Sequence, residues 1–305
     1  MDQQKIYDAQ SRGAALPSAK LPSPARAFAA LVLGNLAIAF GPLLVRYADT
    51  GPVATGFWRL ALAVPVLGLI GHRRGFRVSA VPPKLLAYIA FAGLFFGIDI
   101  IAWHIGIFQT KLANSTLFAN CASLLLVIYG IFLARALPSR MQLIAVILAF
   151  AGAALLMGQS LELSQSHFIG DLLCLIAGLF YAFYLVLMIR ARETTESFGS
   201  LALASAAAAL ILLPAAVYLG ERIIPIDWTP LLILAFSSQI FGQGCLTYVL
   251  PHFSPLVIGL ALLVQPAVSA AAGWIAFGET LTPFDLAGGV MVMAALVLVR
   301  ISDKV

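Results

Sequence analysis

The sequence predicts an all-α integral membrane protein with ten transmembrane helices, arranged as two five-helix repeats of inverted orientation. Of the 305 residues, 62% are hydrophobic and 10% are charged, whereas soluble domains carry about 25% charged residues. Apolar runs of about 20 residues, enough to cross a bilayer as a helix, recur along the chain. They lack the alternating polarity of transmembrane β-strands. The two halves are also weakly similar to each other in their hydropathy.

The elements follow from these apolar runs. Residues 1–26 are polar and contain several Pro and Ser residues, so we expect a disordered cytoplasmic tail. Apolar length and short polar or Pro/Gly boundaries then predict ten spans. They are 28–47, 53–71, 85–108, 113–133, 140–158, 169–190, 200–219, 230–250, 255–277 and 283–301.

The distribution of basic residues predicts the orientation. Ten crossings place both termini on one side, and Lys and Arg concentrate on the cytoplasmic side of membrane proteins. With cytoplasmic termini, only Arg46, Arg59, Lys111 and Arg222 fall in the outer half, which leaves 14 of the 18 basic residues inside. We therefore expect a multi-pass protein of the inner (plasma) membrane, and the net charge of +5 does not indicate a nucleic-acid partner.

An internal repeat relates the two halves. An offset of about 144 residues aligns spans 3, 4 and 5 with spans 8, 9 and 10, and an offset of about 143 aligns span 1 with span 6. The predicted repeats are residues 27–158 and 169–302. Because five is an odd number of crossings, the repeats must have opposite orientations, as in many secondary transporters.

Three stretches resemble a known family. They are "GFWRLALA" (56–63), with its Arg near the start of the second span, "GDLLCLIAGLFYAFYLVLMIRAR" (170–192), and "SPLVIGLALLVQPAVSAAAGWIAFGETLTPFDLAGGVMVMAALVLV" (254–299). The last has a mid-span Pro, a Glu at the helix end and a Gly that opens the next span. These features are typical of the EamA branch of the drug/metabolite transporter superfamily. The first half departs from the pattern, because Arg135 stands where the repeat would place Glu279.

The resemblance is to the branch of this family that exports amino acids and other metabolites, and it implies export from the cytoplasm. We expect no cofactor. The sequence contains neither an HExxH helix nor a G-x-S-x-G elbow, the motifs of two large enzyme classes. We therefore expect neither an enzyme nor a metal site.

Two charged residues, Arg59 and Asp99, lie well away from the ends of their predicted spans. An ionised carboxylate near the membrane centre costs at least about 2.5–3.5 kcal/mol, so it faces a wet cavity or has a partner. Asp99 is roughly 13 Å and Arg59 roughly 9 Å from the outer ends of their spans, at 1.5 Å per residue. Two interpretations stay open: a static ion pair between helices, or two groups that line a cavity and bind the charged ends of a substrate.

The repeat adds polar candidates at related positions. It aligns Asp99 with Gln243 and His104 with Tyr248, and steps of four place residues 95, 99 and 103 on one helix face and 239, 243 and 247 on another. Hydrogen bonding between packed helices is the alternative role for such residues. The predicted substrate-binding residues are Asn35, Arg59, Asp99, Trp103, His104, Asn120, Tyr181, Gln239, Gln243, Tyr248 and Gln265. Pro42 and Pro266 are predicted hinges, because proline removes a backbone hydrogen bond.

These residues favour a secondary transporter that exports amino acids, including aromatic and other neutral ones, by alternating access. Few charges lie in the spans, which argues against polyanionic substrates. The alternatives are an exporter of lipophilic drugs or other metabolites, and an intramembrane enzyme with Asp99 and Asp171 as paired acids. Spans 5 and 10 are expected to buttress the two halves or to form a homodimer contact.

Overall fold

The computed structural model describes residues 24–110, 112–135, 137–158, 167–277 and 283–302, and the regular structure within these ranges is helical. The predicted tail lies outside the described residues except for residues 24–26, which begin the first helix. The helices in chain order are α1 (Pro24–Ala39), α2 (Gly41–Tyr47), α3 (Pro52–Arg73), α4 (Pro83–Gln109), α5 (Leu112–Ala119), α6 (Cys121–Ala134), α7 (Arg140–Gly158), α8 (Phe168–Arg192), α9 (Ser197–Tyr218), α10 (Thr229–Leu234), α11 (Gly244–Val249), α12 (Pro255–Leu262), α13 (Val264–Phe277) and α14 (Pro283–Ser302). A π-helical segment, Ala235–Gln243, connects α10 to α11.

Several of these helices are long and apolar enough to cross a membrane. In the described residues, six stretches meet this criterion: Ala25–Tyr47, Pro52–Arg73, Pro83–Gln109, Phe168–Arg192, Ser197–Tyr218 and Thr229–His252. Shorter apolar helical stretches at Cys121–Ala134, Arg140–Gly152, Pro255–Val268 and Leu286–Val299 fall within the other predicted spans. The fold is therefore that of a multi-pass helical membrane protein, and the count of ten crossings stays a prediction.

Some predicted spans are interrupted. The first is broken at Phe40, the fourth at Asn120 and the ninth at Leu263. Pro42 is the second residue of α2, and Pro266 is the third residue of α13. Proline and a helix break thus coincide in two of these spans. Asn120 produces a break without proline, and its side chain donates a 2.7 Å hydrogen bond to the Thr116 carbonyl.

Close helix pairs form the body of the molecule. The most extensive contacts join α4 to α8, α7 to α14 and α3 to α9, and α6 also packs on α12. Small residues permit these approaches. A Cβ on Gly93 of α4 would lie 2.4 Å from the Ala204 carbonyl oxygen of α9, and a Cβ on Gly152 of α7 would lie 2.7 Å from the Gly288 carbonyl oxygen of α14. Glycine is therefore required where these backbones meet.

The loop between α9 and α10 is attached to the start of α3. The Glu221 carboxylate accepts hydrogen bonds from the backbone N–H groups of Val53 and Ala54, at 3.2 and 2.8 Å. An acidic side chain at a helix N-terminus satisfies free N–H groups and complements the helix dipole. Asp49 lies 3.8 Å from Arg222 and accepts a 2.7 Å bond from the Ile226 N–H. We call the group Asp49, Glu221 and Arg222 the loop clasp.

Candidate functional site

A cavity of about 50 Å³ lies in the middle of the helix bundle, next to the broken spans. Its lining includes seven of the predicted substrate-binding residues: Arg59, Asp99, Trp103, Asn120, Tyr181, Gln243 and Gln265. The other lining residues are Ile38, Phe96, Thr116, Ala119, Ala122, Gly178 and Leu262. The helices thus bring together residues that lie more than 200 positions apart in the chain.

Arg59 is the cation of this cavity. It lies on α3 and is only 2% exposed. Its Nε donates a 3.2 Å hydrogen bond to Gln239 Oε1, and its Cζ lies 5.9 Å from the centre of the Phe96 ring. Gln239 Nε2 in turn donates a 2.9 Å hydrogen bond to the Ser205 hydroxyl. The structure therefore places Gln239 behind Arg59, outside the cavity lining.

Asp99 is the carboxylate of the same cavity. It lies on α4 and is 8% exposed. In the part of the chain that the structure describes, no hydrogen bond or ion pair is formed to its carboxylate, and Arg59 is not in direct contact with it. The static ion pair between helices is thus not formed in this structure. Arg59 and Asp99 thus line the same cavity but do not contact each other.

Amide and ring groups complete the polar lining. Gln265 Nε2 donates to Asn35 Oδ1 at 2.9 Å, and Asn35 Nδ2 donates to the Leu31 carbonyl at 2.9 Å, so Asn35 supports Gln265 from outside the cavity. Gln243 Nε2 donates to the Tyr181 hydroxyl at 3.0 Å. Within the described residues, Gln243 Oε1 and Trp103 Nε1 are buried and have no hydrogen-bond partner. Such orphan groups in a cavity wall are available to water or to a bound solute.

Phe96 is a lining residue that the sequence pattern missed. The predicted stripe used Phe95, but the Phe95 ring packs against Phe180 and Phe183, with centroids 5.8 and 5.6 Å away. Phe96 instead stacks on Tyr184 at 4.5 Å. The cavity face of α4 therefore follows residues 96, 99 and 103, a spacing of three and four that is also helical. Because residues 95, 99 and 103 also share a helix face, the spacing in the sequence did not single out Phe96.

Besides Asn35 and Gln239, two further predicted residues lie away from the cavity lining. His104 is fully buried, and its Nδ1 lies 2.9 Å from the Pro52 carbonyl at the start of α3. The Tyr248 ring packs against His252, with centroids 5.7 Å apart. His104 thus joins α4 to α3, and Tyr248 contacts the turn that follows α11.

Asp171, the second acid of the intramembrane-enzyme hypothesis, also lies outside the cavity lining. Asp171 accepts a 2.5 Å hydrogen bond from the Thr110 hydroxyl, just beyond the end of α4. Thr110 follows Asp99 by eleven residues, which corresponds to about 16 Å along a helix. Asp99 and Asp171 are therefore too far apart to share a proton, and the geometry gives the paired-acid mechanism no support.

Comparisons with known proteins identify relatives of the chain. The EamA-like transporter family matches it twice, over residues 25–158 and 168–301. An "Uncharacterized transporter" of Archaeoglobus fulgidus is 25% identical over 261 residues, which cover 82% of this chain and 88% of the relative. A "Probable amino-acid metabolite efflux pump" of Salmonella typhimurium is 36% identical over 89 residues, 28% of this chain and 30% of the relative.

A solved crystal structure has a similar fold. It superposes with a TM-score of 0.73 and covers 93% of this chain and 99% of its own, at 13% sequence identity. At this identity the likeness concerns the fold alone.

Proposed function

The chain belongs to the EamA-like transporter family, and from this premise we propose that it is a secondary transporter that exports amino acids, in particular aromatic and other neutral ones. The observation that carries the proposal is that Arg59 and Asp99 line one cavity without a direct bond between them. An amino acid has a carboxylate and an ammonium group, so it complements both charges. The relative named as an amino-acid metabolite efflux pump supports this substrate class.

The remaining lining suits the side chain of such a solute. Trp103, Phe96 and Tyr181 provide rings, while the amides of Gln243, Gln265 and Asn120 provide hydrogen-bonding groups. Arg59 is the cation in this lining, and solutes with phosphate groups are usually bound by several Arg or Lys residues. A zwitterion of moderate size is therefore a better match than a polyanion.

The proposed mechanism is alternating access between two inverted halves, residues 27–158 and 169–302. A volume of about 50 Å³ accommodates a few water molecules but not an aromatic amino acid. We therefore propose that the helices around the cavity move apart to accommodate a solute. The breaks at Phe40 and Leu263, each close to a proline, are the proposed hinges.

The proposed orientation places both termini in the cytoplasm and the protein in the inner membrane. Loop basic residues such as Arg73, Arg74 and Arg77 then lie at the cytoplasmic face, as the positive-inside rule requires. Helices α7 and α14, which pack closely on each other, would buttress the two halves or contact a second copy of the chain.

The test is uptake of labelled amino acids into liposomes that contain the purified protein, with and without a pH gradient. We expect saturable uptake that unlabelled amino acid competes for. Asp99→Asn should abolish the part that depends on the pH gradient if Asp99 couples protons to transport, or should weaken substrate binding at every pH if it only binds the ammonium group. Asp227→Asn, which changes an exposed acid in the α9–α10 loop, is the matched control.

Absence of uptake above that of empty liposomes, for every amino acid, would overturn this substrate class. The ring-rich lining of Phe96, Trp103 and Tyr181 favours lipophilic drugs as the second candidate class. Saturable transport of lipophilic cations by the same liposomes, without amino-acid transport, would establish that alternative.

A further inference from the structure

We propose that Arg59 binds the carboxylate of the transported solute and that Gln239 and Ser205 are positioning residues that fix its guanidinium group. This inference rests on the proposed function and makes it more specific: the solute must have a free carboxylate, and replacing the carboxylate by an amide should prevent strong binding.

Among the described residues, no anion contacts Arg59 directly. Its side chain is 2% exposed, its hydrogen bond is to the Gln239 amide, and its guanidinium group lies over the Phe96 ring. Both groups are neutral, and a buried cation that is not paired with an anion is costly. Asp99 shares the cavity but does not contact Arg59. A carboxylate brought by the solute would supply an anion in direct contact with Arg59.

The hydrogen bond to Gln239 determines which edge of Arg59 is available. Gln239 occupies the Nε, whereas the terminal nitrogens have no hydrogen-bond partner in the described part of the chain. A guanidinium group binds a carboxylate with two parallel N–H···O bonds. With the Nε engaged, the two terminal nitrogens form the edge that can bind a carboxylate in this way.

Ser205 and Gln239 together set this arrangement. Gln239 is fully buried in the π-helical segment, and Ser205 is fully buried on α9. The Ser205 hydroxyl accepts from Gln239 Nε2, which turns Gln239 Oε1 toward the Arg59 Nε. If the amide were reversed, its NH₂ group would oppose the guanidinium N–H groups, because arginine is only a donor. The chain of bonds thus connects α9, the π-helical segment and α3.

The two ends of the solute are then distinguished by charge. The carboxylate is directed to Arg59 and the ammonium group to Asp99, so the solute binds in one orientation. An amino-acid amide retains the ammonium group but offers Arg59 only a neutral oxygen. An analogue of this kind therefore tests Arg59 without changing the group that faces Asp99.

The experiment measures the affinity of the purified full-length protein for phenylalanine and for phenylalaninamide by the ligand-induced increase in its melting temperature. A pH of about 6 keeps both amines protonated. Because hydrogen bonds to charged groups are about twice as strong as neutral ones, we expect phenylalanine to bind at least about ten-fold more tightly than the amide.

Gln239→Glu should remove this preference, because its carboxylate would pair with Arg59 and compete with the solute. The affinity for phenylalanine should fall to that for the amide, while the affinity for the amide stays the same. Ser205→Ala should reduce the preference several-fold, because Gln239 Oε1 is no longer held toward Arg59. Ser200→Ala is the matched control, since Ser200 is also buried on α9 but bonds to Thr195 and Glu196.

The outcomes separate this inference from the proposed function. Equal affinities of the wild type for the two probes would overturn the role of Arg59 and leave amino-acid transport standing. An unchanged preference in both Gln239→Glu and Ser205→Ala would overturn the positioning role alone. If Gln239→Glu does not melt cooperatively, Ser205→Ala decides that point. Binding of neither probe to the wild type would overturn the proposed function for aromatic amino acids and this inference with it.

Discussion

At the scale of single residues, the cavity is defined by polar groups that the protein itself does not satisfy. Gln243 Oε1 and Trp103 Nε1 are buried and lack partners among the described residues. In a purely structural core such atoms would cost about 1–3 kcal/mol each. Their position beside Arg59 and Asp99 indicates instead that the cavity is hydrated or filled by a solute in the working protein.

Tyr181 tests this interpretation, because its hydroxyl is the partner of Gln243 Nε2. Tyr181→Phe would leave the whole Gln243 amide without a protein partner. We expect the melting temperature to change little, since water in the cavity can replace the hydroxyl, and the KM for transport to rise several-fold. The measurements are thermal unfolding in detergent and uptake kinetics in liposomes.

The control is Tyr218→Phe, since Tyr218 is 90% exposed at the end of α9. A large loss of thermal stability in Tyr181→Phe with unchanged KM would show that the Tyr181–Gln243 bond is structural only.

At this scale, sequence reasoning selected both charged residues of the cavity lining, whereas the predicted amides Asn35 and Gln239 lie behind it and Phe96 was missed. The binding roles of these residues stay predictions. Arg59, Asp99 and Gln243 were identifiable because a polar group within a membrane span is costly and so needs a polar environment. Phe96 was not, because an aromatic residue in such a span suits lipid, core and cavity alike. Which face of α4 turns inward depends on packing against α8, and hydropathy contains no information about it.

At the scale of helices, one of the close approaches occurs at the wall of the cavity. Gly178 on α8 lines the cavity where α5 and α6 meet, and a Cβ there would lie 2.4 Å from the Ala119 carbonyl oxygen and 2.5 Å from Cys121 Sγ. The first of these neighbours is backbone and cannot rotate away. Because Gly178 has no side chain, the chain around the break at Asn120 can pack directly against α8.

Gly178→Ala is predicted to separate α8 from the α5–α6 break, with a lower melting temperature and slower transport. Gly68→Ala is the control, because a Cβ on Gly68 of α3 would meet nothing within 4 Å. Alanine favours a helix over glycine by about 1 kcal/mol, so the control should be as stable as the wild type or more so. Equal melting temperatures and transport rates for both variants would contradict the close packing at Gly178.

The breaks and the π-helical segment show what hydropathy patterns omit. Apolar length located the helical stretches to within a few residues, and Pro42 and Pro266 lie close to the breaks in two of them. The break at Asn120 has no such marker. In the π-helical segment Ala235–Gln243, each backbone N–H bonds to the carbonyl five residues before it instead of four. This segment packs against α1, where Gly34 and Gly242 meet, and hydropathy contains no information about that packing.

At the scale of the whole molecule, the loop clasp joins the α9–α10 loop of the second half to the start of α3 in the first half. The predicted topology places it on the outer side. Alternating access would then require this contact to open when the cavity faces outward.

A reversible cross-link tests this requirement. A Cβ on Gly51 would lie 2.5 Å from Glu221 Cβ, and disulfides need a Cβ separation of about 3.5–4.5 Å, which a shift of about 1 Å provides. The double variant Gly51→Cys/Glu221→Cys should transport when reduced, lose transport on oxidation and recover with reductant. The measurement is uptake before and after each treatment.

The single variants, treated identically, control for loss of the Glu221 carboxylate and for oxidation of the native cysteines. Undiminished transport by the fully cross-linked protein would exclude opening at the loop clasp.

The fold class and the family of the whole chain were the most predictable features. Low charge, recurring apolar runs and the motif at 254–299 were enough to predict a helical membrane protein of the family that it matches. The arrangement of the cavity was less accessible, because it depends on contacts between helices far apart in the chain. The hydrogen bond between Arg59 and Gln239 joins residues 180 positions apart in the sequence. Hydropathy does not show that two such residues are close in space.

The presence of one buried cation and one buried carboxylate in a single cavity has an electrical consequence. With both groups ionised, their charges sum to zero, and a zwitterion adds none. The membrane potential does about 2.3 kcal/mol of work per elementary charge for every 100 mV, so it would do no net work on either the loaded or the empty carrier. Export would then follow the solute gradient at any voltage, and a dependence of the rate on voltage would indicate that Asp99 gains or loses a proton during the cycle.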